Sequence, residues 1–204
     1  MALSKIQAES MNLADTYAFT GNVTGIPMGL TFLQGVDADN SAAAITIGSS
    51  SLLSSTYKVY MLQGINLTMA TDGANMHVQF LISGSTKSDA YYRYVRTRMY
   101  SGSSTVSGYV SEGDTQIPYV GESIGTSAGE NGYFTAYLYN PADTNDYKTF
   151  QMISGTQDTS RSQQQNVTSG SYTADTGPVT GISFFSSSGN IAAGRFNLYG
   201  VANA

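Results

Sequence analysis

The feature that most constrains this chain is a series of short strands of alternating character that runs from residue 57 to 200 and closes on GRFNLYG at 194–200. Eight segments, 57–69, 76–83, 90–100, 116–121, 132–140, 147–154, 179–187 and 192–201, are rich in Val, Ile, Tyr, Phe and Thr and bounded by Gly, Asn, Asp or Ser. That spacing is the signature of a sandwich whose strands are joined by tight turns. In the second segment Met76, Val78, Phe80 and Ile82 fall on one side and His77, Gln79 and Ser83 on the other. Such a two-residue period marks a strand with one buried face. Phe196 and Leu198 of the last segment are assigned inward on the same ground, with Arg195, Asn197 and Tyr199 opposite. No stretch has helical periodicity. The expected fold is all-β: a jelly-roll-like antiparallel β-sandwich over 57–204, preceded by an N-terminal arm and connecting region over 1–56. Within that region 26–56 reads as loop with one weak strand in ITIGSSSLLSS, and 101–131 and 155–178, rich in Ser, Gly and Gln, also read as loops.

A domain of this length buries enough surface to fold without covalent staples. The chain has no cysteine, which removes disulfides, thiol nucleophiles and thiolate metal sites together. Only 11% of residues are charged and the net charge is −5. That balance speaks against the basic footprint of a nucleic-acid binder. No run of about 20 apolar residues is present to span a membrane as a helix, and MALSKIQAES has no apolar core of a secretory leader behind its lysine. The chain is therefore expected to be made in a cytoplasm, without free nucleic acid or membrane as partner.

His77 is the single histidine, and Gly-x-Ser-x-Gly does not occur. A nucleophile–base pair would have to run through that one residue, whose strand neighbours are apolar, so a structural role is expected and no catalytic residue is assigned. Glu112, Asp114, Glu122 and Glu130 offer the carboxylates a glycosidase needs, but without a motif that pairs them. Two acidic turns, Asp37-Ala38-Asp39-Asn40 and Asp143-Thr144-Asn145-Asp146, have the oxygen ligands a calcium ion takes. Neither continues into a known loop pattern, and side chains bonded to their own backbone account for both. No metal or cofactor is expected.

Two stretches stand out as contact surfaces. Leu3, Ile6, Met11, Leu13, Tyr17 and Phe19 put apolar side chains into an arm with no periodic element to bury them. On AYYRYVRTRMY, residues 90–100, Tyr92, Tyr94, Arg96, Arg98 and Tyr100 share one face, and Tyr91, Arg93, Val95, Thr97 and Met99 the other. Tyr and Arg together are the residues on which interfaces most often turn. The Tyr92/Tyr94/Arg96/Arg98 face is the one expected to meet a partner.

The leader MALSKIQAESMNLADTYAFTGNVTG, the stretch IPYVGESIGTSAGENGYFTAYLYNPADTNDYKTF and the ending ISFFSSSGNIAAGRFNLYGV resemble virion structural proteins of tailed phages, marine ones in particular. The motifs cover most of residues 117–201. The resemblance implies a non-enzymatic jelly-roll-like sandwich carried on the particle. One form is a head decoration, or cement, protein docked on the major capsid protein and on copies of itself. The alternative is a tail-fibre or receptor-binding module that recognises host surface glycans. Heptads and internal repeats, the marks of a fibre shaft, are missing from this sequence, which favours decoration.

Overall fold

A computed structural model describes residues 29–160 and 162–202. Thirteen strands form two antiparallel sheets, with no helix among the described residues. They are β1 (Leu30–Ala38), β2 (Ala44–Ile47), β3 (Val59–Met69), β4 (Ala74–Ile82), β5 (Ser85–Thr86), β6 (Tyr92–Tyr100), β7 (Ser103–Asp114), β8 (Ile117–Ile124), β9 (Gly132–Tyr139), β10 (Lys148–Gln157), β11 (Gln163–Tyr172), β12 (Val179–Ser186) and β13 (Ile191–Val201). The larger sheet has eight strands in the order β1-β13-β3-β9-β10-β11-β6-β7. The smaller runs β2-β12-β4-β5, with β8 also paired to β4. The antiparallel β-sandwich expected from the alternation is the fold observed, and all eight expected strands are present.

The face assignments on β4 and β13 hold: Met76, Val78, Phe80, Ile82, Phe196 and Leu198 are all buried between the sheets. Phe134, Phe184 and Phe196 form the centre, with Phe134 stacked on Phe184 at 4.8 Å between ring centroids. Phe80 packs against Phe150 and Tyr92. Ser83 and Gly84, both at positive φ, make the two-residue turn from β4 to β5, a geometry whose twist matches that of the flanking strands.

Three expectations about the chain's organisation are corrected. The sandwich includes residues well before Tyr57, because β1 pairs along β13 from Leu30↔Val201 to Ala38↔Gly194 and β2 pairs with β12. The stretches 101–131 and 155–178 contain long strands, β7 and β11, that complete the larger sheet. In β11 the inward positions are Gln164, Asn166, Thr168 and Gly170, so burial there left no apolar alternation to read.

Candidate interaction surface

Tyr92 decides which way β6 faces. Its hydroxyl accepts the Phe80 N–H at 2.8 Å and donates to the Lys87 carbonyl at 3.0 Å, and its ring lies 4.9 Å from that of Tyr172. Burial raises the Tyr92 phenol above its usual range. With Tyr92 locked inward, the two-residue period of a strand carries Tyr94, Arg96 and Arg98 inward as well. Opposite them on β11 stand Gly170, Thr168 and Asn166. A Cβ at Gly170 would meet Ile117 Cδ1 at 2.8 Å, so glycine leaves the room in which β8 closes over this face.

Arg96 is only 3% exposed. Its guanidinium lies between the rings of Tyr109 and Tyr119, 4.1 and 4.0 Å from their centroids, and donates to Glu122 Oε2 at 3.1 Å. Arg98 donates to Glu122 Oε1 at 2.7 Å. One carboxylate thus bridges two guanidinium groups across the gap between the sheets. Thr156 Oγ1 holds the Glu122 backbone by donating to its carbonyl at 2.8 Å. Tyr119 and Ser123, which flank that residue at positive φ, bend β8 so that its ladder to β4 shifts register twice.

The expectation that the Tyr92/Tyr94/Arg96/Arg98 face meets a partner is therefore corrected. Tyr92 and Arg96 are consumed inside their own chain, Tyr92 on the backbone of Phe80 and Lys87 and Arg96 on Glu122 of β8. The six arm residues Leu3, Ile6, Met11, Leu13, Tyr17 and Phe19 lie outside the described residues.

The opposite face of β6 is the exposed one. Register places three successive uncharged rows across the larger sheet: Tyr137–Gln151–Ser169–Val95–Val110, Thr135–Ile153–Val167–Thr97–Gly108, and Tyr133–Gly155–Gln165–Met99. Val110 is 76% exposed, Val95 57% and Ile153 52%. Five strands at the usual spacing make this face roughly 20 Å wide. At its margin an open depression of about 470 Å³ lies among Arg93, Val95, Val110, Glu112, Thr149 and Ser171. Sequence reasoning singled out this strand but took its buried side for the open one. The signal for the exposed side was the alternation itself, since Val95, Thr97 and Met99 continue the β-branched and apolar pattern of Val167 and Ile153.

The remaining candidate chemistry resolves into local structure. Asp37 takes both its hydrogen bonds from Arg195 Nη1 at 2.8 Å. Asp39 accepts the Ser41 hydroxyl and N–H, and Asp143 accepts the Asn145 and Asp146 N–H groups, which holds both carboxyls below their ordinary range. Among the described residues no group of three or more His, Asp or Glu is placed to hold a metal. Glu130 accepts the Ser127 N–H at 2.8 Å, Asp114 the Thr115 N–H at 2.7 Å, and Glu112 lines the outer depression. His77 packs against Tyr119 and Phe185, and burial pushes it down to about 4. No family model, curated protein or solved structure matches this chain.

Proposed function

We propose that this chain is a non-enzymatic virion structural protein, a head decoration protein that docks on the major capsid protein through the outer face of its eight-stranded sheet. The observation that carries the reading is the set of three uncharged rows on that face, open to solvent. A broad face without charge, rich in Tyr, Val, Ile and Met, has the make-up of a contact surface between protein subunits. The phage-like motifs at 117–201 support the same reading, in which the protein is made in the host cytoplasm and then carried on the particle.

Gold-labelled antibody on intact particles tests the reading. Label over the head lattice is expected, and Ile153→Asp with Val95→Asp should abolish incorporation while the purified variant melts as the parent does. Particles that carry none of the chain would overturn the reading. Label confined to the tail would replace it by the fibre or receptor-binding alternative, in which the same face or its marginal depression meets host glycans.

A further inference from the structure

An open sheet has edges, and every edge offers unpaired N–H and C=O groups to any strand that approaches. Most edges here are blunted. In the smaller sheet β2 has four residues and β5 two, while β8 is bulged and carries Glu122 inward. In the larger sheet β1 is bulged between Phe32 and Gln34 and bears the Asp37–Arg195 pair. The other end of that sheet is different. β7 is twelve residues long, SSTVSGYVSEGD, with no lysine, arginine or proline, and, among the described residues, pairs only with β6. Its register with β6 shifts between Ser103 and Ser107 and again between Ser111 and Asp114, and between those shifts Ser107 to Ser111 runs regularly opposite Arg98 to Tyr94.

We propose that two copies of this chain pair through β7, antiparallel and centred on Gly108, to form a homodimer with one continuous sheet. The strand is self-complementary about that point. In this register Val106 meets Val110 of the second copy, and Val110 meets Val106, so four side chains now 57% and 76% exposed cover one another. Cross-strand pairs of this kind are the unit of sheet stabilisation. Ser107 meets Tyr109, and Gly108 meets Gly108. The two acids of the strand meet no acid, because Glu112 falls opposite Ser104. A two-fold contact of one patch with itself is the commonest form of assembly. Val110 also lies in the uncharged rows of the outer face, so pairing would join two such faces edge to edge.

This deepens the reading above in one respect, the contact between copies, and is tested on purified protein without particles. The absence of cysteine makes a single introduced thiol diagnostic. A Cβ at Gly108 would meet nothing within 4 Å in its own chain. Directly opposed residues in an antiparallel ladder have Cα atoms about 4.5–5.5 Å apart, within disulfide range. Gly108→Cys should convert under mild oxidation to a species of doubled mass on a non-reducing gel. Ser104→Cys, opposite Glu112 and far from its own copy, should stay single. Adding Val106→Lys and Val110→Lys, which sets Lys against Lys in both valine pairs, should abolish the Gly108→Cys cross-link with little change in melting temperature. Wild-type protein that sediments as a monomer at every concentration, or Gly108→Cys that cross-links no faster than Ser104→Cys, would overturn the proposal. So would cross-linking that persists in the lysine variant.

Discussion

Around β9, β12 and β13 the interior is closed by Phe134, Phe184 and Phe196, stacked within 6.1 Å of one another. Around β6, β8 and β11 the same two sheets are closed by Arg96, Arg98 and Glu122, with Asn166, Thr168, Gln164 and Ser154 beside them. The first region is stabilised by removing apolar surface from water, about 2–3 kcal/mol for each large side chain. The second has to recover the cost of burying charge and amide, and recovers it in part. Arg96 Nε, both amide atoms of Asn166, Thr168 Oγ1 and Ser154 Oγ have no hydrogen-bond partner among the described residues. One half of the sandwich therefore carries its stability, and the other defines how β8 lies on the larger sheet.

The largest effect that separates the two halves is expected at Phe184. Phe184→Ala opens a cavity between Phe134 and Phe196 and should cost about 3–5 kcal/mol in urea unfolding. Glu122→Ala strands the guanidinium of Arg96 in the interior while Arg98, partly exposed, turns to water. A loss of about 3 kcal/mol is expected. The two variants part company on rescue. Glu122→Leu combined with Arg96→Met should regain most of the loss, because an apolar replacement has no charge to bury, whereas no polar substitution can rescue Phe184→Ala. If the double variant is no more stable than Glu122→Ala, the ion triad contributes more than geometry and the contrast between the halves fails.

The same contrast explains what was legible in the sequence. Where the core is apolar, alternation revealed strand, phase and burial together: Met76 to Ile82 on β4 and Phe196 with Leu198 on β13. Where the core is polar, alternation vanished. Gln164, Asn166 and Thr168 are buried yet read as loop, and β7, on the sheet edge, has no buried face strong enough to register. Ser101-Gly102, a two-residue turn between β6 and β7, was the available hairpin signal. What closes over Arg96 and Arg98 was not legible, because it is Glu122, a residue 24 positions from Arg98 and placed by the double bulge of β8.

His77 tests the seam from outside, since it leans on Tyr119, the ring that covers Arg96. Burial lowers its folded value to about 4, against a partial upward pull from Asp114. The unfolded chain takes up this proton below about pH 6.5, and the folded chain does so only near 4. Stability from this group is therefore whole above pH 6.5 and is lost as the pH falls towards 4, by up to about 3 kcal/mol. Urea midpoints at pH 7 and pH 4.5 should diverge more for the wild type than for His77→Gln. Equal divergence would mean that His77 takes no part.

The smallest and sharpest comparison sets two threonines against each other. Thr156 and Thr168 are both fully buried in the polar half. Thr156 Oγ1 donates to the Glu122 carbonyl, whereas Thr168 Oγ1 has no partner among the described residues although Met152 and Arg96 lie opposite it in register. Replacing a hydroxyl by a methyl group removes a satisfied bond in one case and an uncompensated desolvation in the other. Thr156→Val should cost about 1–2 kcal/mol, since it orphans the carbonyl that holds β8. Thr168→Val should be neutral or stabilising by up to about 1 kcal/mol. Urea unfolding of the two single variants decides it: if Thr168→Val is as costly as Thr156→Val, the hydroxyl of Thr168 is satisfied in solution, and the polar half is better paired than its protein contacts indicate.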